Sequence, residues 1–255
     1  MIPYFEITIP KIAGLQIQAF GILVAIAFLV GDHLARRRTK QMGLDLHVTH
    51  TLVLFCIVFG ILGAHIVHFL AYEPKALLTD PMSFFDFRVG LSSFGGLLVS
   101  GIAIFTYLKI KKIDFLPYAD ALCFGLFPGW IFGRLGCFTA HDHPGRRSDF
   151  FLAVQFPGGS RHDLGLYEAL VLMGIAAALY GLAKKMDPRK PFHGFYFAFC
   201  LICYGIVRFF LDFLRATDLS HSDARYLGLT PAQYFCVFAC LLGSYLMIFH
   251  RARSK

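Results

Sequence analysis

The sequence predicts an all-α polytopic membrane protein of seven transmembrane helices, with the N-terminus outside and the C-terminus cytoplasmic. Three observations predict it. Of 255 residues 57% are hydrophobic, 29 of them Phe, and only 16% are charged, whereas an ordinary soluble domain is about one-quarter charged. About seven apolar runs are long enough, at ~20 residues, to cross a ~30 Å hydrocarbon core. The basic residues between those runs gather on alternate connections. A soluble enzyme, a disordered chain and a nucleic-acid reader are excluded on these grounds, and the net charge of +8 belongs to loops. The first ten residues carry Glu6 and no basic cluster, so a cleaved signal peptide is not expected.

Taken in order, the spans are 14–35, 48–71, 91–108, 116–137, 165–183, 193–214 and 230–249. Arg36, Arg37, Arg38 and Lys40 follow the first, and Lys109, Lys111 and Lys112 the third. Lys184, Lys185, Arg189 and Lys190 follow the fifth, and Arg251, Arg253 and Lys255 end the chain. These are 14 of the 24 basic residues, all on one side, which the positive-inside bias makes cytoplasmic. There is no internal repeat or linker, so residues 1–255 are read as one domain, with the outward segment 138–164 contributing to a site. Seven cysteines lie in or at the end of apolar runs and imply no disulfide framework. Cys200 and Cys203 read as packing residues.

Polar residues inside a span are costly, and here they share one depth. Gln16 and Gln18, His65 and His68, Arg134, Tyr167 and Glu168, the stripe Arg208, Asp212 and Arg215, and Gln233 all fall in the outer halves. The inner half holds mainly Asp32, His33 and Asp120. That pattern reads as an outward-facing polar cavity, not a channel. Arg208 and Asp212, at i and i+4, can pair with each other. Arg134 and Arg208, from different spans, suit a phosphate, because a guanidinium stays charged and binds oxygens bidentately.

The segment Gly90-Leu-Ser-Ser-Phe-Gly-Gly96 opens the third span. Ser92 or Ser93 can cap it, and Gly95 and Gly96 admit either a ligand head group or a neighbouring helix. The run from Gly133 to Arg147 then presents His141, Asp142 and His143. A histidine there can serve as a general base. The triplet also reads as a solvated loop, and as a metal site it lacks enough ligands to close a shell, so neither metal nor cofactor is expected.

These residues resemble the prolipoprotein diacylglyceryl transferase family. The resemblance rests on Gly133-Arg134-Leu135-Gly136, Tyr204-Gly205-Ile206-Val207-Arg208-Phe209 with Asp212-Phe213-Leu214-Arg215, Leu166-Tyr167-Glu168, Gly95-Gly96 and the seven-span order. It implies a bacterial inner-membrane enzyme that moves diacylglycerol from phosphatidylglycerol to the lipobox cysteine of a preprolipoprotein and releases glycerol phosphate. Arg134 and Arg208 match the family's two phosphate-handling arginines. Gly145 and Arg146 match its Gly-Arg, Asp142 its loop acid, and Asp212 stands where it has Glu. Four positions depart: Phe94 replaces the family's histidine, Phe20 a tyrosine, Cys137 an asparagine and His65 an arginine.

The expected catalytic residues are therefore Arg134, Arg208, His141, His143 and Asp142, with His141 or His143 in the base role and Asp142 orienting it. Ser92, Gly95, Gly96, Gly145, Arg146, Tyr167, Glu168, Asp212, Arg215 and Gln233 are expected to bind substrate. The competing reading is an inactive or re-purposed family member that binds anionic phospholipid or uses another acceptor. A transporter is disfavoured by the empty inner half, and a retinal protein by the absence of lysine from 230–249.

Overall fold

The computed structural model describes residues 1–7, 18–72, 79, 80, 82, 84, 92–186, 192–219 and 222–250. Seven helices in it are long and apolar enough to cross a membrane. Of the residues singled out above, Gln16, Gly90, Arg189, Lys190, Arg251, Arg253, Lys255 and the start of the first span lie outside the described residues.

The helices are α1 (Ala19–Met42), α2 (Leu46–Ala71), α3 (Ser93–Ile110), α4 (Phe115–Ala140), α5 (Leu164–Lys185), α6 (Phe195–Leu211) and α7 (Pro231–Tyr245). Their ends follow from local chemistry. Arg and Lys are good helix formers, so α1 runs through its basic residues to Met42 instead of stopping near position 35. It ends at Gly43, whose φ of 72° lets its N–H bond back to Lys40 and Thr39. Asp45, Ser92, Asp163 and Thr230 cap α2, α3, α5 and α7 by accepting backbone N–H groups. At α7 the cap is reciprocal, because the Gln233 side chain accepts the Thr230 N–H. A 3₁₀ turn, Asp212–Leu214, extends α6, and a π-helical turn, Leu246–His250, extends α7.

Helix α4 is central and packs on α1, α5 and α6, while α2 pairs with α3 and α6 with α7. Gly63, Gly95 and Gly96 make the second pairing close. A Cβ on Gly63 would stand 2.6 Å from the Gly95 carbonyl oxygen, and one on Gly96 would stand 2.9 Å from that of Gly60. Small residues let membrane helices approach in this way. Gly95 and Gly96 are thus spent on helix packing, the other role the sequence allowed them.

The segment after α4 is more ordered than a loop. His141, at φ 50°, turns the chain out of the helix, and β2 (Pro144–Arg147), β3 (Val154–Phe156) and β4 (Gly159–Asp163) follow. Together with β1 (Ile2–Pro3) they form one sheet of order β1-β3-β4-β2. β1 is parallel to β3, and the other pairs are antiparallel. A bridge from Gly145 to Arg215 and a hydrogen bond from Tyr226 Oη to the Ala71 carbonyl draw the ends of α4, α6 and α2 together. Arg36–Lys40, Lys109 and Lys184–Lys185, on the last turns of α1, α3 and α5, lie at the opposite end. The bundle therefore has a sheet end and a basic end.

Candidate active site

At the sheet end, α4, α5 and α6 aim the side chains of Arg134, Glu168 and Arg208 at one point. Arg134 Nε lies 2.9 Å from Glu168 Oε2, and Arg208 Nε lies 3.1 Å from Glu168 Oε1. All three are at most 3% exposed. Two guanidiniums from separate helices thus share one carboxylate. Tyr204 Oη donates to Glu168 Oε2 at 3.2 Å.

The network continues along α6. Arg208 also donates to Asp212, which accepts the Thr230 hydroxyl and lies 2.9 Å from Arg215 Nε. Arg215 in turn donates to Asp223. Three arginines and three acids therefore balance without any ligand. Gln233 closes the floor by donating to the Phe209 carbonyl at 3.2 Å, besides capping α7. Removing one partner from such a buried set leaves an unpaired charge, at a cost of roughly 3–5 kcal/mol.

The outer edge of Arg134 is held differently. Its Nη2 donates to Ser93 Oγ at 3.0 Å, and its Nη1 reaches Cys137 Sγ at 3.9 Å. Both partners are neutral, so an anionic phosphate oxygen can replace either with a gain in charge-assisted bonding. Arg208 has less freedom. Its Nη1 is fixed on Asp212, and its guanidinium carbon stands 5.4 Å from the centre of the Phe94 ring. Phe94, where the resemblance places a histidine, offers that cation a π face and no proton acceptor.

The two histidines of the His-Asp-His run separate. His141 is clamped, stacked on Tyr4 at 4.7 Å and edge-on to Phe5 at 4.8 Å. Its Nε2 donates to the Phe5 carbonyl at 3.1 Å, and its Nδ1 meets Asp163 Oδ2 at 3.1 Å. Because a carbonyl only accepts, the His141–Asp163 pair holds one proton between Nδ1 and Oδ2. Burial raises the Asp163 carboxyl above its usual value, and the His141 hydrogen bond opposes that rise. With both nitrogens occupied, His141 ties the N-terminal strand to the cap of α5.

His143 faces the network. Burial, then the guanidiniums of Arg215, Arg134 and Arg208, hold its imidazole well below the usual value, so the ring is neutral at pH 7. Asp142 Oδ1 is 3.7 Å from His143 Nδ1, beyond hydrogen-bonding distance. Asp142 therefore does not orient a histidine as expected; Asp163 does so for His141. Cys137, Asp142 and His143 each offer an atom within 4.8 Å of the other two.

The remaining expected residues have mixed placements. Ser92 caps α3 through the Gly95 N–H at 3.3 Å. Gly145 is required where β2 crosses the end of α6, since a Cβ there would lie 2.6 Å from the Leu214 carbonyl oxygen. Tyr167 hydrogen-bonds His162 through its hydroxyl at 2.8 Å. Arg146 is exposed on β2. His65 is buried with Nε2 2.6 Å from the Phe84 carbonyl, and Phe20 packs beneath Gly136. Sequence reasoning missed Ser93 as a partner of Arg134, and Tyr204, Thr230 and Asp223 as members of the network. Ser93 and Tyr204 lay in quoted segments, but neither was given that role.

Seven membrane-length helices with two buried arginines sharing one carboxylate define a polytopic membrane protein that keeps a polar site inside its bundle. A family model described as Prolipoprotein diacylglyceryl transferase matches residues 8–249, nearly the whole chain. The chain is 30% identical to a phosphatidylglycerol–prolipoprotein diacylglyceryl transferase of Polynucleobacter necessarius, over 99% of this chain and 98% of that one. It is also 30% identical to the same-named protein of Oleidesulfovibrio alaskensis, over 99% and 96%. A Clostridium perfringens relative of that name is 26% identical over 96% and 94%. The chain belongs to the prolipoprotein diacylglyceryl transferase family.

Proposed function

We propose that this protein transfers the diacylglyceryl group of phosphatidylglycerol to the lipobox cysteine thiol of a preprolipoprotein. It works as a multi-pass enzyme of the bacterial inner membrane, with the sheet end and N-terminus outward and the C-terminus cytoplasmic. The whole chain acts as one seven-helix unit, with segment 138–164 forming one wall of the site. The observation that carries the reading is the meeting of Arg134 and Arg208 on Glu168, with the outer nitrogens of Arg134 on neutral partners.

In this reading Glu168 fixes both guanidiniums so that they need not reorganise when charge develops. The phosphate takes the place of Ser93 and Cys137 on Arg134 and draws on Arg208 and Arg215. The acceptor sulfur attacks the glyceryl carbon bonded to the phosphate. The S–C bond forms as the C–O bond breaks, and glycerol phosphate leaves with the electron pair. The thiol proton departs on the side of Cys137, Asp142 and His143. Between α5 and α6 a groove of about 360 Å³, lined by Gly174, Ile175, Ala178, Phe199, Cys203, Ile206 and Val207, opens to the bilayer. It begins some 9 Å along α5 from Glu168, at ~1.5 Å per residue, and suits an acyl chain.

Incubating the purified protein with labelled phosphatidylglycerol and a lipobox peptide, in Cys and Ser versions, tests the proposal. Transfer to the Cys peptide alone is the expected result. Glycerol phosphate released without peptide labelling would mean another acceptor. Neither product would leave a binder of anionic phospholipid, the reading that Phe94 favours.

A further inference from the structure

From Cys137, Asp142 and His143 we infer a zinc-class divalent-cation site that holds the acceptor thiol as its fourth ligand. The inference rests on the transferase reading and supplies the base that Phe94 cannot be. The sequence alone set a metal aside because the His-Asp-His run lacked ligands. The fold corrects the ligand count: His141 is diverted to Asp163 and Phe5, and the last turn of α4 brings Cys137 to the other two.

Cysteine sulfur, imidazole nitrogen and carboxylate oxygen are the donors zinc prefers, and catalytic zinc keeps three protein ligands and one open position. Tetrahedral bonds of about 2.0–2.3 Å place donor atoms roughly 3.3–3.8 Å apart. His143 Nδ1 and Asp142 Oδ1 already stand at 3.7 Å, and the whole set lies within 4.8 Å, so small side-chain rotations close it. Cys137 is buried at the back, while Asp142 is exposed and His143 half-buried, which leaves the open position toward the mouth of the site.

Charge also fits. Glu168, Asp212 and Asp223 pair with the three arginines and so reduce, without removing, the repulsion a cation meets beside His143. On metal binding the Cys137 thiol gives up its proton to solvent, and the resulting thiolate with the Asp142 carboxylate matches a dication. A substrate thiol coordinated here loses its proton to solvent, and its sulfur lies beside the phosphate held by Arg134. An ordinary thiol near pKa 8.5 is only about 3% ionised at pH 7, so full ionisation is worth about 30-fold in thiolate.

The test uses the full-length protein in detergent, stripped with chelator and titrated with Co²⁺. One Co²⁺ per chain with a thiolate-to-cobalt charge-transfer band is expected. Cys137→Ser, Cys137→Asn and His143→Ala should abolish the band while melting like the parent, and Cys56→Ser, on α2, should keep it. Transfer should fall about 30-fold on chelation and return with Zn²⁺. Absence of the band, or its persistence in both Cys137 variants, overturns the site. A stripped protein that binds no cobalt yet transfers at full rate refutes the metal and leaves the transferase reading standing. Cobalt bound through Cys137 without any transfer keeps the site and refutes that reading.

Discussion

Arg38, at the basic end, and Arg208, at the sheet end, are buried to 5% and 2% exposure, yet their surroundings differ. The Arg38 guanidinium carbon stands 4.3 Å from the centre of the Phe124 ring and 5.1 Å from that of Tyr196, and Nη1 donates to Gln41 at 3.3 Å. Among the described residues it forms no ion pair. The nearby Asp120 is occupied by the N–H groups of Gly194 and Phe197, at 2.7 and 2.8 Å, which cap α6. Arg208, by contrast, sits in a chain of acids and hydroxyls that reaches from Glu168 to Asp223. Aromatic faces hold a cation by packing and present nothing for a ligand to exchange. A network of carboxylates and neutral donors can be re-partitioned around an incoming anion. In the proposed reading that difference assigns chemistry to the sheet end and scaffolding to the basic end.

The sharpest way to break that contrast is Glu168→Gln, which should cost roughly 3–5 kcal/mol by stranding two buried guanidiniums. Arg38→Met should cost about 1–2 kcal/mol, the scale of a desolvated cation–π contact. Thermal melting of both in detergent checks the order, and a reversed order would undo the comparison. Next, Arg134→Gln should lower transfer roughly 100- to 1,000-fold, as expected when a transition-state donor is lost. Arg38→Met should leave transfer within a few-fold of the parent.

The paired histidines offer a finer cut within the sheet end. His143→Ala should reduce transfer about 30-fold, the loss of acceptor thiolate expected when the group beside Cys137 and Asp142 is removed. His141→Ala should act on the melting temperature instead, at about 1–3 kcal/mol for stranding Asp163 and the Phe5 carbonyl. Equal transfer losses in the two variants would contradict the separate roles. The smallest effect concerns pH. Arg161 donates to both oxygens of Asp218, at 2.9 and 2.6 Å, and holds that carboxyl down to about 2. A depressed carboxylate adds stability above its unfolded value near 3.8 and loses it as pH falls through about 2. Asp218→Asn should therefore flatten the melting temperature between those two values and change little at pH 7.

The seven helices were legible because hydropathy is summed over some 20 residues, which makes the signal robust to any single side chain. Helix ends were less so. The basic run after residue 35 reads as a loop by polarity but continues α1 by propensity, until Gly43 supplies the left-handed turn. The sheet was invisible. Its strands are two to five residues long and rich in Gly, Pro and Arg, too short for alternation to register. At the site, Arg134, Glu168, Arg208, Asp212 and Arg215 declared themselves as charges inside apolar runs, where each needs a partner. Ser93, Thr230 and Asp223 are ordinary residues for a helix start or a loop, and only contact across the fold gives them a role. Likewise nothing local tells His141 from His143. The left-handed turn at His141 sends one ring under the N-terminal strand and the other toward the arginines.

The proposed reaction requires a head group to displace the neutral partners of Arg134. Phosphatidylglycerol, titrated into the detergent-solubilised protein against diacylglycerol as the neutral comparison, can be followed by the melting temperature of the parent and of Arg134→Gln. The prediction is a concentration-dependent rise with phosphatidylglycerol alone, present in the parent and lost in the variant. An equal rise in both proteins, or with both lipids, would show that the bilayer-facing surface binds the acyl chains while the arginine pair takes no part.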